Sequence, residues 1–325
     1  MAESNKKFIV AAAFLSLLLI AGSVAAIAIT PDEANSHLHA SQPAGVTGEV
    51  AAPERHLGPQ GKNGQFIAEC AYSHSATDDP IVHYQHPGRS HLHDFYGATT
   101  TNAFSTPDQL LASDTTCDKT ADRAAYWQPA LYDHDEKVEP ISVDAYYRAA
   151  PGVEPTDVQP YPLGLALITG DAMAEVPQPG EAAGWTCGSR SALSDDPPDC
   201  PASAPLTLLL TFQDCWDGAH IDSDDHQAHV TFSAGGECPA SHPVNIPQLT
   251  ASFKFPIHGS GHNLRLASGN IYSAHGDFFN AWEPEGLERE INACIHNGVV
   301  CDLASNRDDD VGFNRETLER FENQK

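Results

Sequence analysis

The chain has 325 residues, and its 44 acidic side chains against 17 Lys and Arg give a formal net charge of −27 at pH 7. This balance argues against nucleic-acid binding, because few cations are available to neutralise phosphates, and against docking on an anionic membrane surface beyond an N-terminal anchor. With 19% charged residues, 24 Gly and 24 Pro, the composition favours a turn-rich globular fold over a coiled coil or a disordered chain.

The N-terminal segment predicts the compartment. Lys6 and Lys7 precede an apolar run over residues 8–29. The run is long enough to span a bilayer, and it also has the basic start, apolar core and small residues of a secretory signal. We therefore predict that residues 1–29 are a signal peptide or an N-terminal membrane anchor. Both alternatives make the rest of the chain secreted or extracellular, anchored to the membrane if the segment is retained.

The remaining chain divides by composition. Residues 30–62 are rich in Pro, Ala, Gly, Ser and Glu without a hydrophobic period, which predicts a disordered tether. Residues 63–306 carry short apolar runs bounded by Pro, Gly, Asp and Asn, the pattern of strands. We predict one β-rich domain here (all-β or α+β), like a sandwich or jelly roll, with long disulfide-bridged loops. Residues 307–325 form a polar tail.

The individual elements follow from the same pattern. Strands are predicted at 141–147, 163–168, 206–212, 229–232 and 252–255. Helical periodicity is confined to 284–295, with a weaker candidate at 107–111, so one or two short helices are expected. The Pro-rich segment 176–205 contains two cysteines and predicts a long bridged loop.

Eight cysteines lie beyond the apolar run: Cys70, Cys117, Cys187, Cys200, Cys215, Cys238, Cys294 and Cys301. An even number in an exported chain predicts disulfides, and the absence of C-x-x-C argues against a zinc ribbon or a redox motif. Pairing of consecutive cysteines is the simplest of the 105 arrangements.

Histidines are concentrated in three places. His91 and His93 are two residues apart, so on a strand both rings would project from one face, where they could chelate zinc or copper. The alternative is a strand edge with hydrogen-bonded rings. The next group follows Asp217 and comprises Asp222, Asp224, Asp225, His226 and His229, with His242 just beyond.

The Asp-rich group permits two interpretations. Cys215 and Cys238 could staple its ends, and paired carboxylates can perform acid–base chemistry. The alternative is a solvated loop that binds calcium or no ligand. In the third group His275 and Asp277 share a face if the chain is extended. Tyr126 and Trp127 are either a platform for stacking sugars or part of the core. No motif of a serine hydrolase, a nucleotide-binding protein or a zincin is present.

Several motifs occur together and in order: residues 79–82, 87–93, 95–97, 122–132, 215–218, 225–229, 238–249 and 275–282. With these motifs the chain resembles domain-of-unknown-function family 1996. The resemblance implies a secreted protein of the kind found in fungi and bacteria, some of them joined to wall- or carbohydrate-binding modules. It implies no particular activity.

Three functional hypotheses remain open, and the sequence does not decide whether the protein is an enzyme. The first is action on, or binding of, extracellular or cell-wall polysaccharide, with catalytic Asp217, His229, His275 and Asp277 and substrate-binding Tyr126, Trp127, Trp216 and Asn280. The second is a divalent metal site (copper, zinc or calcium) with ligands among His91, His93, His226 and His242. The third is a non-catalytic envelope module. We also predict that eight of these residues converge on one site: His91, His93, Asp217, His226, His229, His242, His275 and Asp277.

Overall fold

The computed structural model describes residues 64–178, 182–188 and 193–301, which belong to one compact unit. The predicted signal or anchor, the tether and the polar tail lie outside these ranges. Within the described residues, no helix has the length and apolar character needed to cross a membrane.

The fold is β-rich, as predicted. The described ranges contain fifteen strands: β1 Gln65–Ala76, β2 His93–Gly97, β3 Ala125–Pro129, β4 Leu131–Asp133, β5 Glu136–Lys137, β6 Ser142–Arg148, β7 Ala166–Gly170, β8 Ala183–Cys187, β9 Leu206–Thr211, β10 Cys215–Trp216, β11 Val230–Thr231, β12 Val244–Asn245, β13 Gln248–Phe255, β14 Leu264–Leu266 and β15 His275–Phe279. The helices are α1 Pro107–Leu111 and α2 Pro284–Glu290, which continues as a π-helical turn over Ile291–His296; Pro155–Asp157 and Ile271–Ser273 form 3-10 turns.

Nine strands form one large sheet in the order β7-β15-β3-β2-β1-β6-β13-β9-β8. Its strong twist brings β7 back towards β9, where the Thr169 hydroxyl donates to the Thr211 carbonyl at 2.7 Å. The Gln213 amide likewise donates to the Ile168 carbonyl at 2.9 Å. The sheet therefore curls until it nearly closes, and two three-stranded sheets, β11-β10-β12 and β14-β4-β5, flank it.

Apolar side chains cover both faces of the strands that matter for the site. Phe66, Tyr126, Tyr147 and Phe278 belong to the main core. On the opposite face, a smaller core contains Phe95, Trp127 and Ile168. Because successive residues of a strand point to opposite faces, β3 sends Tyr126 into one core and Trp127 into the other. The strands that carry the histidines are thus held rigidly from both sides.

The predicted consecutive pairing of cysteines is confirmed. The four bonds join Cys70 to Cys117, Cys187 to Cys200, Cys215 to Cys238, and Cys294 to Cys301. Such bonds persist in an oxidising compartment, and each contributes about 2–4 kcal/mol to the stability of a domain. The third bond joins the first residue of β10 to Cys238, between β11 and β12, and the loop that it closes forms one wall of the site described below.

One prediction of loop structure is wrong. The segment 176–205 was expected to be a bridged loop, but its middle part forms β8, an edge strand paired with β9. Trp185 provides the reason, since its buried side chain lies near Phe255 and joins the main core. The bridge between Cys187 and Cys200 therefore links a strand to the following turn.

Candidate functional site: a buried histidine centre

Sheet register brings His93 and His275 to one place. His93 pairs with Pro129 of β3 from one side, and Asp277 pairs with Trp127 of β3 from the other. Since β15 runs antiparallel to β3, His275, two residues before Asp277, falls in the same row as His93. The two histidines are far apart in sequence, and only the shared neighbour β3 makes them meet.

His91 completes a group of three rings. It precedes β2, which begins at His93, so the expectation that both residues lie on one strand is wrong. Even so, the ring centroids are 4.3 Å apart for His91 and His93, and 5.0 Å for His91 and His275. One potential ligand atom from each of the three histidines lies within 4.8 Å of the other two. The same limit holds for Asp79, His93 and Asp277. We call these five residues the histidine centre.

Hydrogen bonds fix two of the rings. His93 Nδ1 donates to the Asp78 carbonyl at 3.0 Å, and His275 Nδ1 donates to the Ser273 carbonyl at 2.9 Å. A neutral imidazole that donates from Nδ1 carries its lone pair on Nε2. Backbone carbonyls in this position are the usual outer partners of histidines that ligate metals.

The inner atoms of the centre have no partners. His91 Nε2, His93 Nε2 and Asp277 Oδ2 are buried without a hydrogen bond. Buried polar atoms in proteins are nearly always hydrogen-bonded, and leaving one unpaired costs about 1–3 kcal/mol. Three such atoms lie together in the histidine centre, where one bound group could pair with all of them.

Burial also sets the charge of the centre. Desolvation, with the neighbouring His93 second, lowers the pKa of His91 to about 3, and desolvation lowers the pKa of His93 to about 3. Desolvation likewise lowers the pKa of His275 and raises the pKa values of Asp79 and Asp277. The imidazoles are consequently neutral at pH 7, which is the form that binds metal ions.

The histidine centre opens into a cleft of about 660 Å³. His91, His275 and Asp277 lie at its base, while Asp171 and the segment 225–227 form walls. A volume of about 300–1,000 Å³ is typical of small-molecule sites. The centre is therefore accessible to a ligand from one side and enclosed by the sheet on the other.

Convergence is thus partial. Of the eight residues predicted to meet, His91, His93, His275 and Asp277 lie in the centre, and His226 lines the cleft. His229 is buried elsewhere, with Nε2 donating to the Ala166 carbonyl at 2.7 Å and Nδ1 3.0 Å from the Ser223 hydroxyl. His242 is exposed and donates to the Ala228 carbonyl at 2.9 Å. Both rings are therefore hydrogen-bonded to other groups of the protein.

The remaining predicted residues also lie away from the centre. Asp217 accepts bonds from the Ala219 and His220 backbone and pairs with the His220 ring at 2.6 Å, which is the geometry of a self-contained turn. Asn280 is buried, and its amide donates to the Pro162 carbonyl at 2.9 Å. Trp216 is half-buried and donates from Nε1 to the His220 carbonyl at 2.6 Å.

The expected stacking platform does not exist. Tyr126 and Trp127 are both 0% exposed, so neither ring can offer a face to a sugar. Alternating apolar residues on β3 bury both side chains, one in each core, and the core alternative stated for Trp127 is the one observed.

Asp79 and Arg89 are among the residues at the site that the individual sequence motifs do not indicate. Asp79 sits in a turn, where its Oδ1 accepts from the Ile81 and Val82 amides, and a turn-capping role is all that its local sequence indicates. Arg89 lines the cleft, yet its neighbourhood resembles any Pro-Gly turn. In both cases only the three-dimensional arrangement reveals the position.

Fold and site together define a disulfide-bonded β-rich domain with a buried histidine centre at the base of a cleft. The family model described as "Domain of unknown function (DUF1996)" matches residues 79–282, and the chain belongs to this family. All five residues of the centre lie within the matched range. No curated protein and no solved structure shows significant similarity to the chain.

Proposed function

We propose that this protein is exported and binds one divalent transition-metal ion at the histidine centre. The observation that carries the proposal is the set of buried, unpartnered atoms His91 Nε2, His93 Nε2 and Asp277 Oδ2, with the His275 ring beside them. An ion would satisfy all of them at once.

The structure of the centre argues against a purely structural role for these rings. His93 and His275 already use Nδ1 to reach backbone carbonyls, so each ring carries its lone pair on Nε2, and one ligand atom of each lies within 4.8 Å of the other. Converging lone pairs repel unless a donor or a cation lies between them. A structural histidine such as His229, by contrast, has a partner on each ring nitrogen.

The donor set favours zinc or copper. Imidazole nitrogens suit these ions, whereas calcium and magnesium prefer oxygen ligands. Three histidines with a carboxylate from Asp277 or Asp79 could supply the four positions of a zinc site. The alternative calcium loop gains no support, because Asp217 and Asp225 accept hydrogen bonds from their own backbone neighbours.

Metal content and affinity test the proposal. The full chain, produced with its disulfides intact, is dialysed against zinc and copper, and bound metal is measured by mass spectrometry. One ion per chain is expected, and His93→Gln should weaken binding at least about 100-fold because a direct ligand is lost. The control is His242→Gln, which removes a histidine outside the centre and should bind as wild type. Equal binding by the two variants would contradict the proposal.

A second candidate function, glycan binding, is favoured by one observation. Tyr84 is 42% exposed in the turn that supplies Val82 and His83 to the cleft. An exposed aromatic ring beside a polar cleft can stack on a sugar ring. A glycan array probed with wild type and Tyr84→Ala should show binding that the substitution removes; absence of binding by wild type would exclude this candidate and leave the metal site unaffected.

A further inference from the structure

We propose that the cleft is a hydrolytic site for neutral esters or amides, in which His226, held by Asp222, transfers protons on the wall facing the ion. The inference rests on the metal ion of the proposed function. It assigns a role to the Asp- and His-rich loop, which the metal site alone does not use.

His226 has the geometry of an oriented base. Its Nδ1 donates to both carboxylate oxygens of Asp222, at 2.9 and 3.0 Å. This bond places the lone pair on Nε2 and fixes the ring orientation, as in other carboxylate–histidine pairs used for proton transfer. The side chain is half-buried and lines the cleft.

The backbone holds the ring there. His226 adopts a left-handed conformation with φ 58°, which is uncommon for residues other than glycine and asparagine. The turn is closed by a hydrogen bond from the His226 amide to the Ser223 carbonyl at 2.8 Å. The disulfide between Cys215 and Cys238 then ties the ends of the loop together. Strain of this kind persists where surrounding structure enforces it, and it concentrates at functional sites.

Strand β7 connects the Asp- and His-rich loop, at one end, with the histidine centre, at the other. The Ala166 amide donates to the Ile221 carbonyl and the Ala166 carbonyl accepts from His229, so the loop docks at the start of β7. At the other end of β7, Gly170 pairs with His275. The two attachment points are about 13 Å apart along the strand, and His226 and His275 line the same cleft.

Charge in the cleft selects the substrate class. Asp225 accepts from the Ala228 amide and the Ser223 hydroxyl, and these bonds lower the pKa of its carboxyl to about 2. Asp171 lies in the same cleft. These two carboxylates outnumber the single guanidinium of the lining, Arg89, and in a protein of net charge −27 they would disfavour a phosphodiester, so an uncharged acyl group is the suitable substrate.

The reaction balances without a further reagent. A bound ion would polarise the acyl carbonyl, while water would give a proton to His226 Nε2 as its oxygen bonds to the acyl carbon. The bond from the acyl carbon to the alcohol oxygen or amine nitrogen then breaks. His226 returns the proton to that leaving group, and the products are a carboxylic acid and an alcohol or an amine.

The test compares two similar histidines of one loop. His220 pairs with Asp217 as His226 pairs with Asp222, but His220 is exposed and does not line the cleft. The zinc-loaded full chain is assayed with p-nitrophenyl acetate and with bis(p-nitrophenyl) phosphate. We expect zinc-dependent hydrolysis of the acetate only. His226→Asn, a residue that tolerates the left-handed backbone, should lower kcat about 100-fold with little change in KM, because a general acid–base group is lost.

His220→Asn is the matched control and should retain the wild-type kcat. Asp222→Asn should lower kcat while zinc affinity and melting temperature stay unchanged, since it acts by orienting His226. If wild type binds zinc but does not hydrolyse the acetate above the rate of the metal-free protein, or if His226→Asn and His220→Asn behave alike, the hydrolytic inference is overturned and the metal site stands. If neither zinc nor copper binds, the proposed function itself fails.

Discussion

Two buried polar clusters lie on opposite faces of the large sheet near β3, and they differ in one respect. The histidine centre takes His93 from β2 and His275 and Asp277 from β15, the two neighbours of β3. On the other face, Asp122, Tyr126, Tyr147 and Trp282 form what we call the tyrosine network. Tyr126 donates to Asp122 at 2.6 Å and contacts the Tyr147 hydroxyl, and Trp282 Nε1 donates to the same hydroxyl at 3.1 Å.

The two clusters differ in whether their buried polar atoms all have hydrogen-bond partners. The side-chain oxygens of Asp122 and the hydroxyls of the tyrosine network have partners within the protein, whereas the histidine centre leaves three buried atoms unpaired. A completed network stabilises the fold and needs no ligand. An incomplete one, in a fold that satisfies its other cluster, indicates a binding site. Burial of titratable groups by itself would not separate the two.

The largest expected effect is stabilisation by zinc. At a zinc concentration about 100 times the Kd, the free energy of unfolding of wild type should rise by about 2.7 kcal/mol. His275→Gln should lose this increase, which thermal unfolding with and without zinc would measure. Tyr126→Phe, the counterpart in the tyrosine network, should keep it. A zinc effect of equal size in His275→Gln would remove the distinction between the clusters.

The next effect belongs to the tyrosine network. Tyr126→Phe removes a hydroxyl and leaves the buried Asp122 Oδ2 without its donor, which should lower the free energy of unfolding by about 1–3 kcal/mol. Urea denaturation of the metal-free protein gives the value. Zinc affinity of the variant should equal that of wild type, and a parallel loss of zinc binding would show that the two clusters are coupled.

Asp122 should also make stability depend on pH. Burial raises the pKa of its carboxyl to about 7, although the Tyr126 hydroxyl opposes the shift. The folded state therefore keeps a proton that the unfolded state releases near pH 4, and the contribution of Asp122 to stability should fall as pH rises from about 4 to about 7. Asp122→Asn should lack this component when urea midpoints are compared across the range. Identical pH profiles would contradict the assignment.

The smallest expected effect is an increase, not a decrease, in the free energy of unfolding caused by a substitution. In the metal-free protein His91→Leu replaces an imidazole whose buried nitrogen lacks a partner, and the free energy of unfolding should rise by about 1 kcal/mol. Differential scanning calorimetry of the metal-free forms measures it. An increase is expected if His91 serves ligand binding and lowers the stability of the metal-free protein. A decrease in the free energy of unfolding would mean that His91 is structural.

Local sequence patterns predicted five of the strands (β6, β7, β9, β11 and β13), the short helices, the disulfide pairing and the histidine pair at residues 91 and 93, but not β1 or β3. They also indicated that His275 and Asp277 share a face. His275 and Asp277 lie beside His93 because β3 lies between β2 and β15. Strand order is a long-range property that hydrophobic periodicity does not predict.

The errors have physical causes as well. Tyr126 and Trp127 are amphipathic, and a short run of such residues looks the same whether one face or both faces of the strand are covered. His229 and His242 occur in dense polar clusters, yet each ring bonds to a backbone carbonyl that the sequence gives no means of locating. The value of a histidine as a ligand is therefore decided by what its nitrogens already contact.

X-ray absorption at the zinc edge of the zinc-loaded wild-type protein tests the central claim most directly. The account predicts one bound ion with imidazole nitrogens from His91, His93 and His275 at about 2.0–2.1 Å and a carboxylate oxygen completing the shell. Sulfur should be absent, because all eight cysteines are in disulfides. A shell of oxygen alone, or a spectrum unchanged in His93→Gln, would contradict it.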